Sequence, residues 1–135
     1  MQTIPSDMLE QAQQAVTRSY SPYSHFPVGA CIKTTNGKLF SGCNVENAAY
    51  NLCICAEASA IVKMISAGEK KIAAIVVVTP TNSPTPPCGA CRQRIAEFST
   101  AETKVYLCDK HNNQQTFTLQ ELLPHAFTPT NLEQP

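Results

Sequence analysis

The hydrophobic and polar positions along the chain change period several times, and each change predicts a new element. Apolar residues recur at helical spacing over residues 6–20, so we predict a first helix whose N-cap is Ser6. Strand-like segments follow at 28–34 and 38–43. The Asn36-Gly37 pair between them accepts the positive φ angles of a tight turn, which predicts a β-hairpin.

The second half of the chain predicts alternating helices and strands. Residues 72–79 are apolar at nearly every position, which is typical of a central strand covered on both faces. The other predicted elements are helices over 55–67, 89–98 and 119–123 and a strand over 104–108, with loops or turns over 44–54, 80–87 and 109–115. This order predicts one domain over residues 1–135, a three-layer α/β/α sandwich around a mixed sheet of about five strands.

Composition narrows the class of protein. A chain of 135 residues that is 43% hydrophobic and 15% charged suits one packed domain. Ten basic and ten acidic residues give zero net charge, so we expect no nucleic acid polymer as partner. We also expect no membrane span and no signal peptide. Seven cysteines, an odd number, exclude a fully disulfide-paired scaffold and indicate a cytoplasmic protein with reduced thiols.

Two cysteine motifs carry the candidate chemistry. Cys88-Gly89-Ala90-Cys91 fits a redox dithiol, half of a metal site or chance when it is taken alone. Cys53-Ile54-Cys55-Ala56-Glu57 spans the predicted start of the preceding helix. Because both helices follow strands in consecutive crossovers, we expect their N-termini to meet at one edge of the sheet. Three or four thiolates would then lie together, as in protein zinc sites.

The number of cysteine ligands separates two functions. If Cys53 joins the other three cysteines, the site is a closed structural zinc site in a non-catalytic binding domain. If only Cys55, Cys88 and Cys91 bind, one position stays open for a water molecule that ionises near neutral pH. Glu57 could then move protons to and from that water, although taken alone it is more typical of an ordinary acidic residue that stabilises a helix N-terminus. The presence of both motifs favours the catalytic interpretation.

The motifs together resemble a known family. Cys-Ala-Glu followed by Pro-Cys-x-x-Cys is similar to the zinc nucleoside and nucleobase deaminases. Three further segments resemble the homotetrameric cytidine deaminases: Phe-Pro-Val-Gly-Ala at 26–30, Asn-Val-Glu-Asn-Ala at 44–48, and Leu-Leu-Pro-His-Ala-Phe at 122–127. The resemblance extends from about residue 21 to residue 127, in consistent order.

The resemblance implies a reaction and a set of site residues. It implies one zinc ion per chain on Cys55, Cys88 and Cys91, with Glu57 as the catalytic proton carrier. The implied reaction is hydrolytic deamination of cytidine and 2′-deoxycytidine to uridine and 2′-deoxyuridine, with release of ammonia, in pyrimidine salvage. The implied substrate-binding residues are Phe26, Asn44, Glu46, Tyr50, Ala56 through its backbone, and Phe127. The resemblance also implies a homotetramer with shared active sites, in which Phe127 covers the base in a neighbour's pocket.

One position departs from the family pattern. The family commonly has arginine after Cys-Ala-Glu, where it donates to the ligand sulfurs, but this chain has Ala58. Arg92 matches a family basic position beside Cys91, so the resemblance assigns it to the surroundings of the zinc. A modified aminopyrimidine nucleoside remains an alternative substrate, although the pair of Asn44 and Glu46 favours an ordinary ribose.

Overall fold

A five-stranded mixed sheet forms the centre of the computed structural model, which describes residues 3–133. Its strands are β1 (Gly29–Thr34), β2 (Leu39–Cys43), β3 (Ile72–Val78), β4 (Lys104–Cys108) and β5 (Gln114–Thr118). The spatial order is β2-β1-β3-β4-β5, with β3 and β4 parallel and the other neighbouring pairs antiparallel.

Helices cover both faces of this sheet. Helix α1 (Ser6–Val16) packs on one face, and helices α2 (Ala56–Ser66), α3 (Gly89–Glu97) and α4 (Leu119–Leu122) pack on the other. Two short 3₁₀ segments, Tyr50–Leu52 and Pro129–Leu132, lie outside these layers. The structure therefore confirms the predicted three-layer α/β/α sandwich.

Strand β3 shows why its sequence is apolar throughout. Ile75 and Val77 belong to the core beneath α2 and α3, whereas Val76 and Val78 belong to the core beneath α1. Successive side chains of a strand point to opposite faces, so a strand between two helical layers needs apolar residues at both sets of positions. The prediction of a doubly covered central strand is confirmed.

A close backbone contact holds α2 against β2. A Cβ atom on Gly42 would lie 2.5 Å from the backbone nitrogen of Ala60, so only glycine lets the helix come this near. Gly68 ends the same helix region with φ of +92°, as predicted. The start of α2 is therefore held at a fixed place over the sheet edge.

The hairpin and the first helix differ from the prediction in detail. Thr34 and Lys38 close a three-residue loop in which Gly37 takes a positive φ and Asn36 does not. The N-cap residue of α1 is Pro5, not Ser6, and its side chain makes no capping bond. The helix ends at Val16 because the chain beyond it turns to bond elsewhere: the Tyr20 backbone N–H donates to the Asn44 carbonyl.

Candidate metal centre and active site

A cavity of about 460 Å³ opens at the sheet edge where α2 and α3 begin. Its walls come from the segments before β1 and after β2, the first turns of the two helices and the proline-rich loop before α3. The predicted site residues that line it are Phe26, Asn44, Glu46, Cys55, Ala56, Glu57, Cys88 and Cys91. Residues from both halves of the sequence therefore meet in one cavity.

The two cysteine motifs come together at the helix N-termini. Cys55 and Cys88 are the N-cap residues of α2 and α3, and Cys91 lies in the first turn of α3. The sulfur atoms of Cys55 and Cys91 are 2.7 Å apart, and a Glu57 carboxyl oxygen lies within 4.8 Å of both. The expected convergence of the two helices is confirmed. Cys88 stands outside this three-residue group but lines the same cavity.

The electrostatics of the thiol pair favour a metal cation. The pKa of Cys55 is lowered to about 6, chiefly by a hydrogen bond with Cys91, and the backbone of Ala58 and the Arg94 cation act in the same direction. The pKa of Cys91 is raised, because that hydrogen bond and burial both favour its protonated form. One member of the pair is thus a thiolate near neutral pH. Soft, readily ionised sulfur donors at helix N-termini fit Zn²⁺.

Cys53 has a different environment from the paired cysteines. Its side chain is exposed, and its sulfur accepts a hydrogen bond from the Asn47 backbone N–H at 3.3 Å. Among the residues that the structure describes, the compact donor group contains Cys55, Glu57 and Cys91 but not Cys53. Cys88 also lies outside this group, and both cysteines line the cavity, so the feature that distinguishes Cys53 is the bond between its sulfur and Asn47. That bond favours a site with an open position over the closed four-cysteine alternative.

Glu57 is buried beside the thiol pair. The residue is only 5% exposed. Burial raises the pKa of its carboxyl group to about 7, and the negative charge of Cys55 acts in the same direction. The ordinary value is 4.5. A carboxyl group with a pKa near neutrality can both accept and donate a proton under physiological conditions.

Asn44 and Glu46 brace the segment before β1, which forms part of the cavity wall. Asn44 Nδ2 donates to the Phe26 carbonyl at 2.8 Å, and its Oδ1 accepts from the Val28 backbone N–H at 2.9 Å. Glu46 Oε1 accepts from two backbone N–H groups, and the Ser24 hydroxyl donates to Oε2. The Ser24 hydroxyl is the main cause of the lowered pKa of Glu46. Glu46 is therefore ionised at neutral pH.

Two residues that the resemblance assigned to the substrate lie outside this cavity. The ring of Tyr50 is 76% exposed and packs edge-on against Tyr23, with ring centroids 6.2 Å apart. Phe127 is 59% exposed, and its carbonyl accepts from Gln93 Nε2 at 2.8 Å. Within one chain, the described residues give neither ring a place in the cavity wall.

The arginine nearest the sulfurs is not the expected one. Arg92 donates to the carbonyls of Pro87 and Leu122 at 2.8 and 2.9 Å, which corrects its assignment as a partner of the zinc ligands. Arg94 Nη1 instead lies 3.5 Å from Cys55 Sγ and 3.8 Å from Cys91 Sγ. The spacing of three residues from Cys91, about one helical turn, is the sequence signal for this contact.

Paired thiols and a buried carboxyl beside an open cavity define the site of a zinc-dependent hydrolase. The family model for the cytidine and deoxycytidylate deaminase zinc-binding region matches residues 2–108. The chain belongs to this family of zinc-dependent deaminases.

Known cytidine deaminases resemble this chain in sequence and in structure along nearly its whole length. The cytidine deaminase of Halalkalibacterium halodurans is 46% identical over 125 residues, which cover 93% of this chain and 95% of the relative. The crystal structure of cytidine deaminase from Burkholderia pseudomallei has a TM-score of 0.87 at 42% identity, covering 93% of this chain and all of that one. The Mycobacterium tuberculosis enzyme has a TM-score of 0.77 at 36% identity, covering 90% and 94%. In the described part of the chain, no helix has the length and apolar character needed to cross a membrane.

Proposed function

We propose that this protein deaminates cytidine and 2′-deoxycytidine by hydrolysis, forming uridine or 2′-deoxyuridine and ammonia in cytoplasmic pyrimidine salvage. The observation that carries the proposal is the buried Glu57 carboxyl within 4.8 Å of the Cys55 and Cys91 sulfurs. The same cavity contains Asn44 and Glu46, whose amide and carboxylate suit sugar hydroxyls. The assignment of residues 1–135 to a single deaminase domain is part of this proposal.

Cys55, Cys88 and Cys91 would hold the zinc ion. When bound, the ion supplies a nucleophile by lowering the pKa of a water molecule towards neutrality. Glu57 accepts the proton of that water and donates a proton to N3 of the pyrimidine ring. The oxygen of that water would bond to C4, and Glu57, again ionised, would take the second proton of the same water and deliver it to the amino group. The C4–N bond would then break, ammonia would leave, and the oxygen would remain as the C4 carbonyl of uridine. Burial supports this role because the raised pKa lets one carboxyl act as base and then as acid.

The remaining walls orient the nucleoside. An amide nitrogen has two N–H donors, and Asn44 uses one of them on the Phe26 carbonyl, so the other can bind a ribose hydroxyl. The ionised Glu46 offers acceptors to the same sugar. Phe26 supplies an aromatic wall, and the backbone of Ala56 meets the pyrimidine at the start of α2. These groups favour an ordinary nucleoside over one with a modified sugar.

The test combines substrate turnover with metal analysis. Purified protein should reduce the ultraviolet absorbance of added cytidine, release equimolar ammonia and contain one zinc per chain. Zinc without deamination of cytidine or 2′-deoxycytidine would contradict the proposal and favour the non-catalytic zinc domain. Turnover of a modified aminopyrimidine nucleoside alone would identify the alternative substrate class.

We also propose a homotetramer in which Phe127 covers the base in a neighbour's pocket. Its exposed ring supports this role, since an aromatic side chain in a short tail has little core of its own to join. A surface of exposed apolar residues also supports assembly, and it comprises Tyr20, Tyr23, Val45, Tyr50, Leu52 and Ile54. Burying such a surface between subunits would remove its apolar area from water.

Mixed subunits test the shared site directly. Phe127→Ala should reduce kcat/KM by roughly 10- to 100-fold, as loss of one base-stacking contact predicts, and should retain zinc. Subunits of Glu57→Gln and Phe127→Ala are then allowed to exchange. Some mixed pockets combine an intact Glu57 with an intact Phe127 from another chain, so activity should exceed the average of the two parents. Exchange confirmed by mass without a gain in activity would refute the shared site.

A further inference from the structure

Arg94 is the cation nearest the candidate zinc ligands. It lies one helical turn after Cys91 on α3, and Nη1 is 3.5 Å from Cys55 Sγ and 3.8 Å from Cys91 Sγ. Its guanidinium therefore reaches sulfurs from both cysteine motifs. Arg92, the neighbouring arginine, bonds two backbone carbonyls instead. The contact is thus specific to one of two closely spaced arginines.

The candidate zinc site carries excess negative charge that a nearby cation would offset. Three thiolates with one divalent ion carry a net charge of about −1, and outer-shell donors to ligands modulate metal affinity. Glu57 adds a buried acidic group within 4.8 Å of two of the sulfurs. The position after Glu57 contributes no charge, because Ala58 ends in a methyl group and only its backbone interacts with Cys55.

We propose that Arg94 is a positioning residue that balances the negative charge of the zinc-thiolate site. Its guanidinium donates to the ligand sulfurs Cys55 and Cys91 and draws electron density from them. Arg94 thereby stabilises the bound zinc and makes the site more electrophilic. It acts through the sulfurs and not through contact with the nucleoside.

Two substitutions separate charge from packing. Arg94→Gln removes the charge and keeps a side chain suited to a helix, whereas Arg94→Lys keeps the charge. Arg18→Gln is the matched control, since Arg18 is exposed, does not line the cavity, and its loss changes the net charge equally. Zinc release to a chelator is measured for each variant, together with kcat and KM for cytidine.

Arg94→Gln should release zinc roughly 10- to 100-fold more readily, the usual effect of losing an outer-shell partner. Its kcat should fall with little change in KM, while Arg94→Lys stays close to the wild type and Arg18→Gln matches it. Wild-type zinc retention in Arg94→Gln would overturn the inference. Equal losses in the Gln and Lys variants would also overturn it, because they would show that charge is not the cause.

Relocating the cation provides a second test. The double variant Arg94→Gln/Ala58→Arg should retain zinc better than Arg94→Gln alone, provided that circular dichroism shows a native fold. No gain in a folded double variant would contradict charge balance at the sulfurs. The kinetic part of the inference rests on the proposed function, but zinc release does not. A protein that fails to turn over cytidine would therefore refute that function while the zinc measurements still decide the role of Arg94.

Discussion

Replacing Glu57 with glutamine separates the energetic cost of burying this carboxyl from its use in turnover. The residue is 5% exposed, and burial raises its pKa from 4.5 to about 7. With the pKa raised, the folded state binds the proton more tightly than the unfolded state. The free energy of unfolding therefore falls as pH rises from 4.5 through 7. A shift of this size corresponds to about 3 kcal/mol once Glu57 is ionised.

Glutamine has nearly the same shape as glutamate and carries no charge. In zinc-free protein, Glu57→Gln should therefore raise the free energy of unfolding by roughly 3 kcal/mol at pH values above the shifted pKa. The difference should vanish at pH values below 4.5, where both states of the wild type are protonated. In the zinc-loaded protein the same change should keep the metal but lower kcat by about 10²- to 10⁴-fold or more.

Urea unfolding followed by far-ultraviolet circular dichroism measures the stability of the zinc-stripped proteins at an acidic and an alkaline pH. Glu102→Gln is the matched control, since Glu102 is exposed and its replacement should leave both quantities unchanged. Equal stability of wild type and Glu57→Gln at alkaline pH would refute the burial cost. Near-normal turnover of cytidine by zinc-loaded Glu57→Gln would remove Glu57 from the mechanism.

The other cysteines give two further predictions. Cys53→Ser should keep one zinc per chain and normal turnover, because the Cys53 sulfur bonds Asn47, whereas Cys88→Ser should lose both. Metal analysis after gel filtration decides this, and zinc loss from Cys53→Ser would refute the open-site interpretation. Burial raises the pKa of Cys31 to about 11, so iodoacetamide at mildly alkaline pH should label the exposed Cys53 well before Cys31 in the folded protein. Peptide mass spectrometry checks this order, and equal labelling rates would show that Cys31 is not protected.

The elements with local signals could be predicted from the sequence, and those that depend on distant partners could not. The apolar run of β3 and the strand β4 carry their own periodicity or composition. Strand β5 does not, because it is mostly polar and depends on pairing with β4, where Phe117 stands opposite Val105. The end of α1 was predicted too late for the same reason. Tyr20 forms a β-bridge with Val45, so the chain leaves the helical conformation before this residue. Because the two positions are far apart in sequence, a local pattern does not reveal the bridge.

The same distinction applies to the site. The order of strands and helices was enough to bring Cys55 and Cys91 together, because consecutive crossovers place helix N-termini at one sheet edge. It was not enough to choose between Arg92 and Arg94. Side chains two positions apart on a helix point in very different directions. Arg92 is held away from the sulfurs by its bonds to the carbonyls of Pro87 and Leu122. Leu122 belongs to the short helix α4, and local sequence patterns do not show that this helix packs beside Arg92.

Asn44 fixes the loop that borders the proposed sugar site. Its amide group already bonds backbone groups of Phe26 and Val28, so the same side chain that could bind a ribose also fixes the aromatic wall beside it. Glu46 does the same for the preceding turn through its bonds to Tyr23 and Ser24. A pocket braced in this way is organised before the substrate arrives, so less binding free energy is lost in ordering the loop. In the proposed binding mode, substitution of either residue removes a sugar contact and also loosens the wall of the cavity. Measuring loop order in the absence of substrate separates the two effects.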